Sequence, residues 1–216
     1  MIGAWPEDAL GDRHVVAALV RGDEEAFVAL VDRYHAAMVR VASRFVPSAA
    51  IAEEVVQETW VGLLRGIASF GGRSSLKTWL FTILLNQARR HGAAEQRCVA
   101  FSSLWGESGE PAPDADRFFP AGHPDAGHWI RGLADWGPSA EDALMSAEIL
   151  ELIRASIDAL PPGVAVVITL RDLEGWSAEE VCDLLGISAT NQRVRLHRAR
   201  SRVRADLEGY VGRTSA

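Results

Sequence analysis

The chain has 216 residues, of which 48% are hydrophobic and 24% are charged, and its formal net charge at pH 7 is −7. That composition is ordinary for a globular protein of one or two domains, and no apolar run approaches the roughly 20 residues that a membrane-spanning helix needs. The acidic segment 1–12 predicts no secretory signal, and the two cysteines, Cys98 and Cys182, lie far apart. We therefore expect no disulfide framework and a cytoplasmic location.

The first half of the chain carries helical periodicity. Asp23 is a predicted N-cap, and apolar residues follow it at spacings of three and four, which traces one face of a helix that ends before Pro47. Ser48 caps a second helix, and a third follows the loop at residues 71–74. No strand pattern interrupts them, so we predict a helical bundle. Its inward stripes are Ile51, Val55, Thr59, Leu63 and Ile67 in the second helix, and Leu76, Trp79, Leu80, Ile83 and Leu84 in the third.

Periodicity disappears between residues 92 and 137, where Gly, Pro, Ser and Asp dominate. Residues 92–143 hold three basic and nine acidic residues, a net charge of 3 − 9 = −6. We predict a flexible acidic linker, because the segment is longer than the loops of compact domains. His123 and His128 are not expected to bind a metal there. The segment contains five aromatic residues: Trp105, Phe118, Phe119, Trp129 and Trp136. Either they dock onto a neighbour or partner, or the whole stretch is simply disordered.

The last third is predicted to be helical again. Ser139 is a predicted N-cap, and the helix that it begins ends at the breaker Pro161-Pro162. Ser177 and Glu180 form a capping box for a short helix, Gly186 supplies a turn, and a last helix starts near Ala189. A short helix, a glycine-containing turn and a basic helix together predict a helix-turn-helix.

The last helix carries the strongest charge pattern of the chain, because residues 193–204 contain six arginines and no carboxylate. Leu196, Ala199 and Val203 form its inward stripe. A recognition helix reads base edges with its N-terminal residues and holds phosphates further along. The predicted base-edge residues are Thr190, Asn191, Arg193 and His197, and the predicted phosphate contacts are Arg198, Arg200 and Arg204.

Two other helix faces are candidates for binding. Val56, Trp60 and Leu64 form a second stripe on the second helix, beside Glu54, Gln57, Glu58 and Val61. Either this face docks onto a protein, or another helix of the bundle covers Trp60. The third helix ends with Asn86, Arg89 and Arg90, which either contact nucleic acid or are ordinary surface polarity.

Longer motifs indicate a family. Residues 51–60 read IAEEVVQETW and residues 79–86 read WLFTILLN, which together resemble region 2 of bacterial sigma-70 factors. The stretches that resemble region 4 are LPP at 160–162, LRDLEGWSAEEV at 170–181, LGI at 185–187 and RLHRAR at 195–200. With two such domains and this length, the chain resembles an extracytoplasmic-function (group IV) sigma factor over about residues 15–91 and 144–208.

The resemblance implies an all-α initiation factor of two helical domains, with no catalytic activity and no cofactor. Its partners would be core RNA polymerase, promoter DNA and an anti-sigma factor. The implied segments are an N-terminal tail 1–14, a region 2-like domain 15–91, the linker 92–138, a region 4-like domain 139–208 and a C-terminal tail 209–216.

The resemblance also assigns residues. Clamp helices of the largest polymerase subunit would bind Glu54, Gln57, Glu58 and Trp60, and the melted minus-ten element would bind Asn86 with Arg89 and Arg90. The minus-35 element would contact Arg193, His197 and Arg198. Gln192 and Val194 depart from the family pattern, which has an apolar and a small polar residue there, so the minus-35 specificity is not carried over.

Two other functions stay open from the sequence. A stand-alone helix-turn-helix regulator would need a dimer interface and a palindromic site, and a helical partner-binding module would not need its arginines. For a sigma factor, we expect poor binding of promoter DNA by the free protein, because a net-negative chain repels phosphate.

Overall fold

The computed structural model describes residues 9–94 and 140–214, and these residues form α-helices and short turns without a β-strand. They fall into two compact units, one with the first four helices and one with the last four. The all-α prediction is confirmed. None of the described helices is long and apolar enough to cross a membrane.

The N-terminal domain contains four helices: α1 (Ala9–Val20), α2 (Glu24–Ala42), α3 (Ala49–Gly66) and α4 (Leu76–Ala94). The predicted caps are present, because the side chains of Asp23 and Ser48 accept hydrogen bonds from the backbone N–H groups of Ala26 and Ile51. Helix α1 lies partly in the predicted tail 1–14, and α4 continues three residues into the predicted linker, to Ala94.

The core of this domain is the packing of α3 between α2 and α4. Val55, Thr59 and Leu63 are fully buried, as the inward stripe predicts, and the Thr59 hydroxyl donates to the Val55 carbonyl at 2.7 Å. The α4 stripe is confirmed at Leu76, Leu80 and Leu84, and Phe81, which the stripe did not include, is also fully buried. Trp79 and Ile83 are half-buried, because they lie over α3 at the edge of the core.

Helices α3 and α4 approach closely because α3 has two glycines one turn apart. A Cβ atom on Gly62 would lie 3.1 Å from Ile83 Cγ2, and one on Gly66 would lie 3.3 Å from the Trp79 ring. Both distances are shorter than ordinary van der Waals contact. The hydrogen of glycine is therefore what allows the two helices this separation.

The Asp12 side chain of α1 makes a long-range hydrogen bond to the start of α4. Asp12 Oδ2 accepts a hydrogen bond of 2.6 Å from the backbone N–H of Leu76, the first residue of α4. Ser75 caps the same helix start through its hydroxyl, which accepts from the Thr78 N–H at 3.1 Å. A carboxylate at a helix N-terminus both satisfies an open N–H and offsets the positive end of the helix dipole.

The C-terminal domain contains α5 (Ala140–Asp158), α6 (Pro162–Ile168), a π-helical turn (Thr169–Leu173), α7 (Ala178–Leu185) and α8 (Ala189–Thr214). The capping box of Ser177 and Glu180 is confirmed, with both reciprocal hydrogen bonds present. Gly186 ends α7 in the left-handed conformation at φ 66°. The predicted helix-turn-helix is therefore α7, this glycine turn and α8. The predicted cap Ser139 and most of the predicted linker lie outside the described residues.

Candidate functional site

Trp60 belongs to the core of the N-terminal domain. Only 7% of its surface is exposed, and its ring meets that of Phe27 edge-to-face, with the centroids 5.7 Å apart. Val56, one turn earlier, is fully buried. Of the two alternatives for this face, the one in which another helix covers Trp60 is correct, because α2 packs over it. Trp60 therefore offers no exposed ring to a partner.

The exposed face of α3 lies beside that stripe. Val61 and Leu64 are 44% and 51% exposed, which is unusual for large apolar side chains. Glu54 and Gln57 are exposed on the preceding turns. These four residues share one helix face at spacings of three and four, and we call them the docking face. The sequence pattern predicts Leu64 on the same stripe as the buried Trp60, and the structure separates the two.

Glu58, the remaining residue predicted to bind polymerase, contacts α4. His91 Nε2 lies 3.0 Å from Glu58 Oε2, and the two side chains are 22% and 44% exposed. Sequence patterns gave no sign of this pair, because the residues are 33 positions apart. The pair joins the edge of the docking face to the C-terminal end of α4.

The residues predicted to bind the minus-ten element lie on α4. Thr82, Asn86 and Arg90 are exposed at spacings of four, which gives one polar stripe along the helix. Arg89 lies beside this stripe and is half-buried, and its Nη1 lies 3.5 Å from Asn86 Oδ1. Burial lowers the pKa of Arg89 from its ordinary value, which still leaves the guanidinium charged at neutral pH.

Helix α8 is seated by the apolar stripe that its sequence predicts. Leu196, Ala199 and Val203 are 7%, 0% and 7% exposed. Ser188 caps the helix start, because its hydroxyl accepts from the Asn191 N–H at 3.2 Å. Gln192 is buried at 2% exposure, and its Nε2 has no hydrogen-bond partner among the described residues. The family pattern has an apolar residue at this position, and in this chain the Gln192 amide lies inside the domain instead.

Two arginines of the basic run point into the domain. Arg200, predicted to contact phosphate, is 8% exposed and makes a two-pronged ion pair with Asp172, with N–O distances of 2.7 and 2.8 Å. Arg195 is 5% exposed and donates to Asn191 Oδ1 at 2.6 Å and to the Gly163 carbonyl at 3.3 Å. Burial, and then the charge of Arg198, lowers the pKa of Arg195. Both guanidinium groups hold α8 against the elements before it.

Two further arginines pair with carboxylates one turn later. Arg202 Nε lies 3.3 Å from Asp206, and Arg204 Nε lies 2.7 Å from Glu208. Asp206 also accepts a short hydrogen bond from Ser156. The run itself holds no carboxylate, but these two acids lie just beyond its end and pair with it. For Arg200 and Arg204, the predicted phosphate contacts compete with internal ones.

The N-terminal part of α8 exposes members of the predicted base-reading set. Thr190, Arg193 and Val194 are exposed, and Arg198 is half-buried one turn further along. Asn191 is half-buried, and its side-chain oxygen accepts from Arg195. Both ring nitrogens of His197 are buried, so they are not presented beside Arg193. Of the predicted base-reading set, Thr190 and Arg193 are therefore the exposed members.

Comparisons with known proteins agree with both halves of this geometry. The family model of Sigma-70 region 2 matches residues 30–98, and that of Sigma-70 region 4 matches residues 150–203. The ECF RNA polymerase sigma-E factor of Haemophilus influenzae is 30% identical over 196 residues, which covers 91% of this chain and 95% of that protein. The Escherichia coli protein of the same name is 29% identical over 206 residues, covering 95% and 99%.

Solved structures share the fold. CnrH in complex with the cytosolic domain of CnrY matches with a TM-score of 0.55 and 23% identity, over 94% of this chain and 99% of that one. The sigma factor RpoE in complex with the anti-sigma factor NepR from Bartonella quintana matches with a TM-score of 0.52 and 23% identity, over 84% and 96%. Region 2, region 4 and near full-length relatives together make the conclusion plain: this chain belongs to the extracytoplasmic-function sigma factors of the sigma-70 family.

Proposed function

We propose that this initiation factor binds core RNA polymerase through the docking face of α3 and grips a two-part promoter with α4 and α8. It is a DNA-binding transcription initiation factor rather than an enzyme. The observation that carries the residue assignment is the narrow exposed group Thr190, Arg193 and Val194 at the start of the second helix of the helix-turn-helix.

The docking face has the chemistry of a protein interface. Val61 and Leu64 supply apolar surface that a partner can remove from water, and Glu54 and Gln57 surround it with polar groups. Trp60 supports this face from beneath, because it belongs to the same helix and is held by Phe27. We therefore assign contact with polymerase to Leu64 and Val61, with Glu54 and Gln57, and a supporting role to Trp60. Glu58 lies at the edge of this face, where it is shared with His91.

The polar stripe on α4 is the proposed contact with the melted minus-ten strand. Asn86 carries both a donor and an acceptor for base edges, and Arg90 carries a charge for the phosphates. Both are exposed. Arg89 contributes charge from a half-buried position beside Asn86.

On α8, Arg193 and Thr190 are the proposed base-edge contacts of the minus-35 element, with Arg198 at the phosphates or the adjacent base. Four of the six arginines of the basic run hold acceptors within the domain, namely Arg195, Arg200, Arg202 and Arg204. Together with the net charge of −7, this supports weak promoter binding by the free protein.

The same proposal includes control by an anti-sigma factor. The two similar solved structures are both complexes, and one of them holds a protein named as an anti-sigma factor. This chain would act in the cytoplasm, where core polymerase and chromosomal DNA are found. Purification from native cells tests the regulatory part, and recovery of the protein without any bound partner under non-inducing conditions would contradict it.

Run-off transcription with purified core polymerase over a promoter library tests the central function. We expect specific initiation with the wild-type protein and core enzyme together, and none with either alone. Leu64→Asp should weaken core binding about tenfold or more, because it places a charge in an apolar interface. Leu150, which is 52% exposed in the other domain, provides the matched control as Leu150→Asp.

Salt dependence separates the arginines of α8. Arg198→Ala should reduce the slope of log affinity against log salt by about one for the holoenzyme on its promoter, because one proposed phosphate contact is lost. Arg204→Ala should leave the slope nearly unchanged, since Glu208 already neutralises that charge. Equal slopes for both variants and the wild type would contradict a phosphate contact by Arg198.

A further inference from the structure

Val194 is an apolar residue in an unexpected place. It is 40% exposed, and it is the one large hydrophobic residue of α8, within its described residues up to 210, that is exposed to this degree. It is the sixth residue of a helix that begins at Ala189, and it lies one turn after Thr190 and one turn before Arg198. Exposed single apolar residues are common on protein surfaces, so its position decides its meaning.

Packing of the domain does not account for Val194. Its neighbours at two positions on either side, Gln192 and Leu196, are 2% and 7% exposed and face the core. Successive residues of an α-helix are turned by about 100°, so Val194 points nearly opposite to both. Arg193, the adjacent residue, is exposed on the same side. The valine is therefore presented with the arginine that the proposed function assigns to the bases.

The chemistry of this side chain selects its contact. Valine has no hydrogen-bond donor or acceptor, and its branched Cβ holds it in essentially one rotamer in a helix. In the major groove, each base pair presents a pattern of donors and acceptors, and only thymine adds a methyl group. Cytosine would present its amino donor to the valine without an acceptor, which leaves a desolvated polar group unpaired.

We propose that Val194 is a specificity-determining residue that contacts the C5-methyl group of a thymine in the upstream promoter element, at or next to the base pair that Arg193 reads. The inference rests on the proposed function and gives it a base preference. The family pattern has a small polar residue at this position, so the valine would change the base that is preferred here.

Replacement of thymine by deoxyuridine tests the contact, because it removes the methyl group and leaves every hydrogen-bonding group in place. A promoter is first selected from a library with wild-type holoenzyme. Each thymine of its upstream element is then changed singly, and holoenzyme affinity is measured. We expect one position at which the loss of the methyl group weakens binding about fourfold, the value for burial of one carbon group.

The variants complete a cycle at that position. With Val194→Ser, thymine and deoxyuridine should bind equally well, whereas Val194→Ala and Val194→Thr, which each keep a methyl group, should retain part of the difference. Val28→Ser alters a valine that is 55% exposed in the N-terminal domain, and it should preserve the full wild-type response.

Each other result overturns the inference. An upstream element without a thymine, no thymine that responds to deoxyuridine, or an undiminished response with Val194→Ser would each contradict the methyl contact while the promoter function stands. Failure of wild-type holoenzyme to select any promoter would overturn the proposed function and this inference with it.

Discussion

The two domains use their charged side chains in opposite ways. On α4 of the N-terminal domain, Arg90 and Asn86 remain at the surface, although only two arginines are present near the helix end. On α8 of the C-terminal domain, Arg195 and Arg200 are buried and Arg204 holds Glu208, although the run contains six arginines. The density of arginines along a helix therefore does not measure its capacity for phosphate. Arg195, Arg200 and Arg204 are buried or paired with a carboxylate, whereas Arg90 is exposed, and this difference decides how much of each guanidinium a phosphate can reach.

Each domain leaves a few large apolar side chains exposed. In the N-terminal domain, the large aromatic Trp60 is interior, and the modest Leu64 and Val61 are exposed on the same helix. In the C-terminal domain, the one exposed large apolar residue of α8 up to residue 210 is Val194. The apolar residues proposed to bind partners are thus the ones that remain exposed after the core has been filled.

The largest expected effect tests the core assignment of Trp60. Trp60→Ala should lower the free energy of unfolding of the N-terminal domain by about 3–5 kcal/mol, because it removes a buried aromatic side chain and leaves a cavity against Phe27. Leu64→Ala, on the exposed side of the same helix, should change it by less than about 0.5 kcal/mol. Hydrogen exchange of α3 peptides in the full chain measures both. Comparable protection in the two variants would break the distinction between core and docking face.

The second effect concerns the two classes of arginine on α8. Arg200→Ala should destabilise the C-terminal domain by about 2–3 kcal/mol, since it leaves Asp172 without its two-pronged partner. This is at the low end for a buried pair because the Asp172 side chain is 30% exposed. Arg204→Ala removes a pair on the surface and should cost below about 1 kcal/mol. Hydrogen exchange of α8 peptides distinguishes them, and a lower salt slope for Arg200→Ala without loss of protection would instead identify a phosphate contact.

The smallest effect of this set concerns Asp12, the N-terminal counterpart of Arg200. Asp12→Ala should destabilise the N-terminal domain by about 1–2 kcal/mol, because it removes a charged acceptor from the first N–H of α4. Asp12→Asn should recover part of the loss, since the amide oxygen can still accept that hydrogen bond. Thermal unfolding of the three proteins gives the order. Equal losses for both variants would mean that the charge itself, rather than the hydrogen bond, provides the stabilisation.

Local patterns predicted the local features of this fold. The caps at Asp23 and Ser48, the capping box at Ser177 and the left-handed Gly186 are each fixed by residues within one turn, and all are present. Helix α1 was not predicted, because its buried residues Val15 and Leu19 form a stripe too short to stand out. Its stability depends on tertiary contacts, including the long-range hydrogen bond of Asp12.

The site was less predictable than the fold because several of its contacts join residues that are distant in the sequence. Asp172 reaches Arg200 from 28 positions away, and His91 reaches Glu58 from 33. A helical pattern cannot show which of two faces a neighbouring helix will cover, so Trp60 and Leu64 were placed on one stripe. Thr190 and Val194 lie opposite the inward stripe of α8, so their exposure follows from the helical spacing.

The pair of glycines on α3 has a mechanical consequence. Because Gly62 and Gly66 let Ile83 and Trp79 approach the backbone of α3, the helix proposed to bind polymerase and the helix proposed to bind the melted strand pack closely against each other. A Cβ atom at either position would require the facing side chain of α4 to move by a few tenths of an ångström. A larger residue at either glycine would therefore change the spacing between Leu64 and Asn86, and with it the spacing of the two proposed contacts.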